Sequence, residues 1–238
     1  MRRFVCCLLI SFAAPVASAQ RYAITDLGAF SPTAINTQGH IAGNLDGHAY
    51  IWTFQGLQNL GALTGGKASS AATINDAGEV AGMADGPAAV YGVGAAYGLE
   101  QNCSDVNQAF VWTKAKGMQG LGTVGIDANE WGDWCQIISY AAGINLAGVA
   151  VGTNDFVDDT YDWAFFSNTA GGITLLPMDA WAQLAYAINK PGDVVGMLSQ
   201  NTTVPTVSGH AALWSSDTSS GQDLGSLGGP GSFWLLLL

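Results

Sequence analysis

Ile35-Asn36-Thr37-Gln38-Gly39 recurs three times along the chain, as Ile74-Asn75-Asp76-Ala77-Gly78, Ile144-Asn145-Leu146-Ala147-Gly148 and Ile188-Asn189-Lys190-Pro191-Gly192. A small apolar stretch follows each copy and closes on glycine, at Gly43, Gly82, Gly152 and Gly196. Asn can open a tight turn through its side chain, and Gly can take positive φ. The spacing therefore reads as a hairpin built on a type I turn with a following bulge. The apolar residues on either side alternate with small ones, as in two short strands packed on both faces.

Two further elements follow each hairpin. The third reads His48-Ala49-Tyr50-Ile51-Trp52, Gln108-Ala109-Phe110-Val111-Trp112, Trp163-Ala164-Phe165-Phe166 and His210-Ala211-Ala212-Leu213-Trp214. The fourth reads Gln58-Asn59-Leu60-Gly61, Gln119-Gly120-Leu121-Gly122, Thr174-Leu175-Leu176-Pro177 and Gln222-Asp223-Leu224-Gly225. The repeat asparagines are 39, 70 and 44 residues apart, and the shorter spacings match the length of a propeller blade. No stretch shows sustained helical periodicity with caps. The expected fold is all-β, a propeller-like array of about four four-stranded repeat units, stacked radially or in line. The units fall roughly at 22–61, 62–122, 123–177 and 178–228 of one β-repeat domain, 20–238. A two-sheet sandwich is the alternative, but it does not explain a four-part pattern in fixed order.

Composition narrows the class. The chain has 238 residues, 49% hydrophobic and 11% charged, which suits a folded core and not a disordered chain. Its formal net charge of -11 offers little to a phosphate backbone, so no nucleic-acid partner is expected.

Arg2 and Arg3 precede an apolar run from Phe4 to Ala14, and Ala17-Ser18-Ala19 supplies an A-x-A site. Residues 1–19 read as a secretory signal peptide cut before Gln20. The alternative is an N-terminal anchor, for which the run is short. After cleavage no membrane span is expected. Lys plus Arg would drop from 7 to 5 against 18 Asp plus Glu, a net charge of -13. Cleavage also leaves two cysteines, Cys103 and Cys135. In an exported protein these suggest one disulfide, with two separate buried thiols as the alternative.

The repeat resembles the extracellular HAF-repeat family of exported bacterial proteins. The resemblance rests on Asp26-Leu27-Gly28 and Asp223-Leu224-Gly225, on the four I-N-x-x-G hairpins, and on the H-A-x-x-W strands at His48 and His210. It covers nearly the whole mature chain. The third copy departs from the pattern, with Trp163 for His, Ser167 where Trp would stand and Leu176-Pro177 for Leu-Gly. The resemblance implies export, to the periplasm or beyond the cell, and a propeller-like β-fold. It brings no reaction and no catalytic residues. There are five copies of the D-L-G element, counting Ile24–Gly28, and four hairpins, so one fourth strand is surplus. Either a ring of four units carries an overhang or the array is longer than this chain.

If the strands of a unit run antiparallel in order, the N-x-x-G turns share one end of the array. The long insertions then share the other: Asp85 to Asn107, Thr123 to Ile138, Asn154 to Asp162 and Leu198 to Gly209. Insertions in repeat proteins cluster on the binding face. The aromatic candidates there are Trp131, Trp134, Tyr161 and Trp163, which suit sugar stacking. Asp127, Asn129, Asp133, Asp155, Asp158 and Asp159 are candidate Ca²⁺ ligands, with a solvated acidic rim as the alternative. His48 and His210 share one repeat position, which points to a structural role. No G-x-S-x-G, H-E-x-x-H or Walker pattern is present, and no catalytic residue is assigned. The expected function is a non-catalytic binding or surface-interaction protein that holds carbohydrate or another surface protein on its long loops. The alternative is a secreted carbohydrate-active hydrolase using loop carboxylates, and a third is a structural piece without a ligand of its own.

Overall fold

The structure, a computed structural model, describes residues 23–92, 101–125, 137–156, 162–167, 171–177, 182–199, 209–216 and 221–225. Among these residues all regular structure is β. Unit 1 comprises β1 (Ser31–Ile35), β2 (Ile41–Leu45), β3 (His48–Thr53) and β4 (Gly56–Asn59). Unit 2 comprises β5 (Ser69–Ile74), β6 (Val80–Gly92), β7 (Gln101–Thr113) and β8 (Gly117–Gly125). Unit 3 comprises β9 (Ile137–Ile144), β10 (Ala150–Phe156), β11 (Asp162–Ser167) and β12 (Ile173–Leu175). Unit 4 comprises β13 (Ala182–Ile188), β14 (Val194–Ser199), β15 (Gly209–Trp214) and β16 (Gly221–Asp223). Each unit is a four-stranded sheet whose strands pair antiparallel in chain order.

The repeated pentapeptide folds as its chemistry demands. In unit 1 the amide of Gly39 donates to the Asn36 carbonyl at 3.0 Å, and the Asn36 amide donates to the His40 carbonyl at 3.0 Å. Gly39 sits at φ 78°, a conformation that favours glycine. The side-chain Oδ1 of Asn36 accepts the amides of Gln38 and His40. Asn75 and Asn145 do the same in their own turns. In unit 4 Pro191 occupies the place of Gln38 and has no amide hydrogen. There the Gly192 amide takes the bond to Asn189 Oδ1 at 3.0 Å.

Each first strand also carries a bulge, marked by a register shift between Pro32 and Ala34, between Ala71 and Thr73, between Ala141 and Gly143, and between Ala185 and Ala187. The closing glycine lies opposite. A Cβ on Gly43, Gly82, Gly152 or Gly196 would run into the carbonyl oxygen of Ser31, Ser70, Tyr140 or Leu184 respectively. The bulge thus presses two backbones together and leaves room for glycine alone.

A single sheet this small cannot bury its apolar face, so the units stack. Ala42, Ala49, Ile51 and Leu60 of unit 1 pack against Ala71, Ile74, Val80, Phe110 and Trp112 of unit 2. The corresponding faces of units 2 and 3, and of units 3 and 4, form two further cores. Among the described residues no such core joins unit 4 to unit 1.

Side-chain amides cross these interfaces in one direction. Asn36 Nδ2 donates to the carbonyl of Asn75 at 3.1 Å, Asn75 Nδ2 to that of Asn145 at 2.8 Å, and Asn145 Nδ2 to that of Asn189 at 3.2 Å. Ser69 adds a second tie between units 1 and 2. It accepts the Ala49 amide at 2.9 Å and donates to the Gly61 carbonyl at 2.6 Å. Ser139 repeats both bonds with Ala109 and Gly122. Asn44 clamps both backbone groups of Ala71, and the buried Asn154 clamps both of Val124.

The structure corrects the sequence reading in two places. Asp85 to Asn107 was expected as a loop, but β6 continues to Gly92 and β7 starts at Gln101, paired as an extended ribbon. The Ala88-Ala89-Val90-Tyr91 stretch keeps the backbone extended, and Val90–Gly92 also pairs in parallel with Thr123–Gly125, so β8 in turn runs into the expected link after Gly122. Ile24–Gly28 was expected as a fourth-strand copy. It forms the same local turn, with the Gly28 amide on Asp26 Oδ1 at 2.8 Å, as Gly225 does on Asp223 at 2.7 Å. It joins no sheet, because the outer edge of each third strand is already taken by β4, β8, β12 or β16.

Candidate functional site

The antiparallel order puts the N-x-x-G turns at one end of the stack and the β2–β3, β6–β7, β10–β11 and β14–β15 connections at the other. Of the aromatic candidates at that second end, Trp131, Trp134 and Tyr161 lie outside the described residues. So do the acidic candidates Asp127, Asn129, Asp133, Asp158 and Asp159, together with Cys135 and residues 1–19, expected as a signal peptide. Cys103 is placed on β7 with its backbone opposite Ala88. Trp163 and Asp155 are described, and they lie on different faces. Side chains alternate along a strand. Phe165, two residues after Trp163, is in the core shared with unit 2, whereas Ala164, two after Asp162, is in the core shared with unit 4.

Asp155 lies directly opposite Asp162 across the β10–β11 pair. The two carboxyls are near enough for the charge of Asp155 to oppose ionisation of Asp162. Partial burial, then the charge and the hydrogen bond of Asp155, push Asp162 up to about 6 from an ordinary 3.8. Two tyrosines flank the pair. Tyr140 stands opposite Thr153 on β9, and its phenol is pushed up by burial, with further contributions from Asp162 and Asp155 outweighing a hydrogen bond to Thr153. Tyr186, at the β13 bulge of unit 4, is 52% exposed. Its phenol is raised by burial and by Asp162.

The field at this point is negative and disfavours further anionic charge. Such a site suits groups that donate to carboxylates: hydroxyls, amines or a cation. Among the described residues no group of three or more His, Cys, Asp and Glu side chains gathers to hold a metal, and apart from Asp155 the expected Ca²⁺ ligands lie outside them. The sequence reading selected Asp155 without its partner in the pair and did not select Tyr140 or Tyr186. The signal available was the tyrosine just after Ser139 and the tyrosine at the unit 4 bulge, where the other units have Thr33, Ala72 and Ala142.

A concavity lies at the turn end, between units 1 and 2. It encloses about 480 Å³ and is bordered by Gln38, His40, Phe54, Asp76, Trp112 and Lys114 among others. Phe54, 79% exposed, stands edge-on to Trp52 at 5.3 Å. Asp76 accepts the Thr37 amide at 2.9 Å, and this bond holds its carboxyl below the usual range. Asp76 is therefore occupied as part of the unit 1–unit 2 joint. At the repeated His position, His210 Nδ1 lies 2.8 Å from an Asp223 oxygen, and His48 Nδ1 lies 3.0 Å from the Asp46 carbonyl.

Comparison of the chain with protein-family models and with curated proteins finds no match to either. Among the described residues no helix is long and apolar enough to cross a membrane.

Proposed function

We propose that this chain is an exported, non-catalytic β-repeat protein of the kind that the HAF repeats suggest. In this reading the stacked units form a propeller-like array, and its long-connection end binds carbohydrate. The observation that carries the reading is the Asp155–Asp162 pair with Tyr140 and Tyr186 at the root of one long connection. Carboxylates accept sugar hydroxyls, and phenols offer an apolar face with a polar tip. The turns at the opposite end keep one length in all four units, whereas the connections at this end vary, as binding surfaces on repeat scaffolds do.

The hydrolase alternative draws on the same pair, because a carboxyl raised to about 6 is a competent proton donor. Sugar hydrolysis requires carboxyls about 5–10 Å apart with the glycosidic bond between them. Asp155 and Asp162 are direct neighbours across one strand pair and not carboxyls set on opposite sides of a cleft, and this favours binding.

A glycan array probed with the full chain, with and without Ca²⁺, tests the proposal. The expected result is binding to at least one glycan class that Asp155→Asn, Trp131→Ala or Trp134→Ala abolishes. Absence of binding to every glycan in both conditions would overturn the carbohydrate reading and favour a protein partner. Release of reducing sugar would favour the hydrolase.

A further inference from the structure

We infer that the chain associates head to tail with a second copy of itself, the first face of unit 1 seating on the last face of unit 4. The inference is independent of what the long-connection end binds.

Every internal joint pairs two kinds of face. The leading face of a unit presents the positions of Ala42, Ala49, Ile51 and Leu60. The trailing face of the next presents those of Ala71, Ile74, Val80, Phe110 and Trp112. Among the described residues three joints of this kind occur, and one face of each kind takes part in none of them. On the leading face of unit 4 stand Val195, Ala211 and Leu213, all partly exposed, and Leu224, 44% exposed. Their counterpart at Leu224 in unit 1, Leu60, is 6% exposed. On the trailing face of unit 1 stand Ile35, 67% exposed, with Ile41, Tyr50 and Trp52 partly exposed, while the buried Phe30 lies over Gly43 and covers part of that face. The counterparts of Ile35, Ile74 and Ile144, are 8% exposed.

The asparagine ladder ends in the same complementary way. Asn75 uses both Nδ2 hydrogens, one on Glu79 Oε2 at 2.7 Å and one on the carbonyl of the next unit. Asn189 makes the first kind of bond, to Asp193 Oδ2 at 2.9 Å, and in the described residues has no next carbonyl to meet. At the other end the Asn36 carbonyl accepts from its own turn at Gly39 and has no preceding asparagine. One end offers a spare donor and an apolar face, and the other a spare acceptor and the apolar face that fits it. The occupant chemically matched to each is the other end of the same chain, and a second copy supplies it through an interface the molecule already builds three times. Such a contact is heterologous, so each chain uses a different face from its partner.

The test is the mass of the full chain in solution, by sedimentation velocity across a range of concentrations, for the wild type and for Ile35→Asp and Leu224→Asp. Both positions are exposed, so neither change disturbs a packed core, and circular dichroism checks that the fold is kept. The wild type is expected to show mass rising with concentration. Each variant alone has one spoiled end and is expected to remain single. An equimolar mixture of the two variants retains one good face of each kind and is expected to reach about twice the mass of either, with no further growth. A wild type that remains single at all concentrations overturns the inference, whether its ends stay open or close on each other. Variants that still associate alone, or a mixture that does not, also overturn it.

Discussion

Asn36 holds its own turn with Oδ1 and holds the next unit with Nδ2, which donates to the Asn75 carbonyl 3.1 Å away. The division of labour returns at Asn75 and Asn145. One residue type therefore both closes the hairpin and sets how neighbouring sheets meet. This explains why the asparagine recurs while the residues between it and the glycine vary.

That double role predicts unequal costs along the ladder. Asn75→Ala and Asn145→Ala lose the turn cap and also the bond to the next unit's carbonyl, which keeps only its own turn bond from Gly148 or Gly192. Each is expected to destabilise the chain by about 2–3 kcal/mol. Asn189→Ala loses the cap and a bond to Asp193, and is expected to cost about 1 kcal/mol. Urea unfolding of the three variants checks the order.

The paired glycines predict a second contrast. Gly152→Ala would drive a Cβ into the Tyr140 carbonyl at a bulge with no flexible side chain to give way. It is expected to cost more than about 3 kcal/mol or to prevent folding. Gly117 has φ 70° and nothing within 4 Å of an added Cβ. Gly117→Ala should cost only the left-handed backbone penalty, about 1–2 kcal/mol. Thermal unfolding separates the two.

These features were legible in the sequence because their causes are local. The Asn-to-Gly spacing fixes the turn, and short connections fix the antiparallel order. Ile24–Gly28 was misread for a non-local reason: its turn is intact, but whether it becomes a strand depends on a free edge elsewhere. The ribbon at Val80–Gly92 was misread because small and apolar residues such as Ala88 and Ala89 extend a pair without any strong strand signal. The carboxyl site was half legible. Asp155 stood out as acidic, but the approach of its partner Asp162 to Tyr186 depends on how unit 4 docks on unit 3, and residue spacing does not show that.

The carboxyl pair predicts a pH dependence with a definite sign. Asp162 has a folded-state pKa of about 6 against an ordinary 3.8, so between these values the folded chain holds the proton more tightly than the unfolded one. Its contribution to stability is thus most favourable below the ordinary value, falls as pH rises through that window, and stays low above about 6. Asp162→Asn removes the penalty. It is expected to raise the melting temperature near neutral pH and to change it little below the ordinary carboxylate value. A variant whose gain is the same at both ends of the range would contradict the cause assigned.

Charge predicts how association responds to salt. With a net charge of -11 on each chain, two copies repel at long range, and the joint between them is apolar. Added salt screens the repulsion and leaves the apolar contact in place. Association measured by light scattering should therefore strengthen from low to physiological ionic strength, whereas a contact made of ion pairs would weaken.

Four sheets stack through one repeated joint, and among the described residues no such joint links unit 4 to unit 1. Their stacking in a row is tested most directly by pulsed spin-label distances between Gln38 and Ala77 and between Gln38 and Lys190, with labelled chains diluted in unlabelled chain. A row gives a short separation across the first pair, which spans one joint, and a clearly longer one across the second. Equal separations would mean that the units close into a ring, and would contradict it.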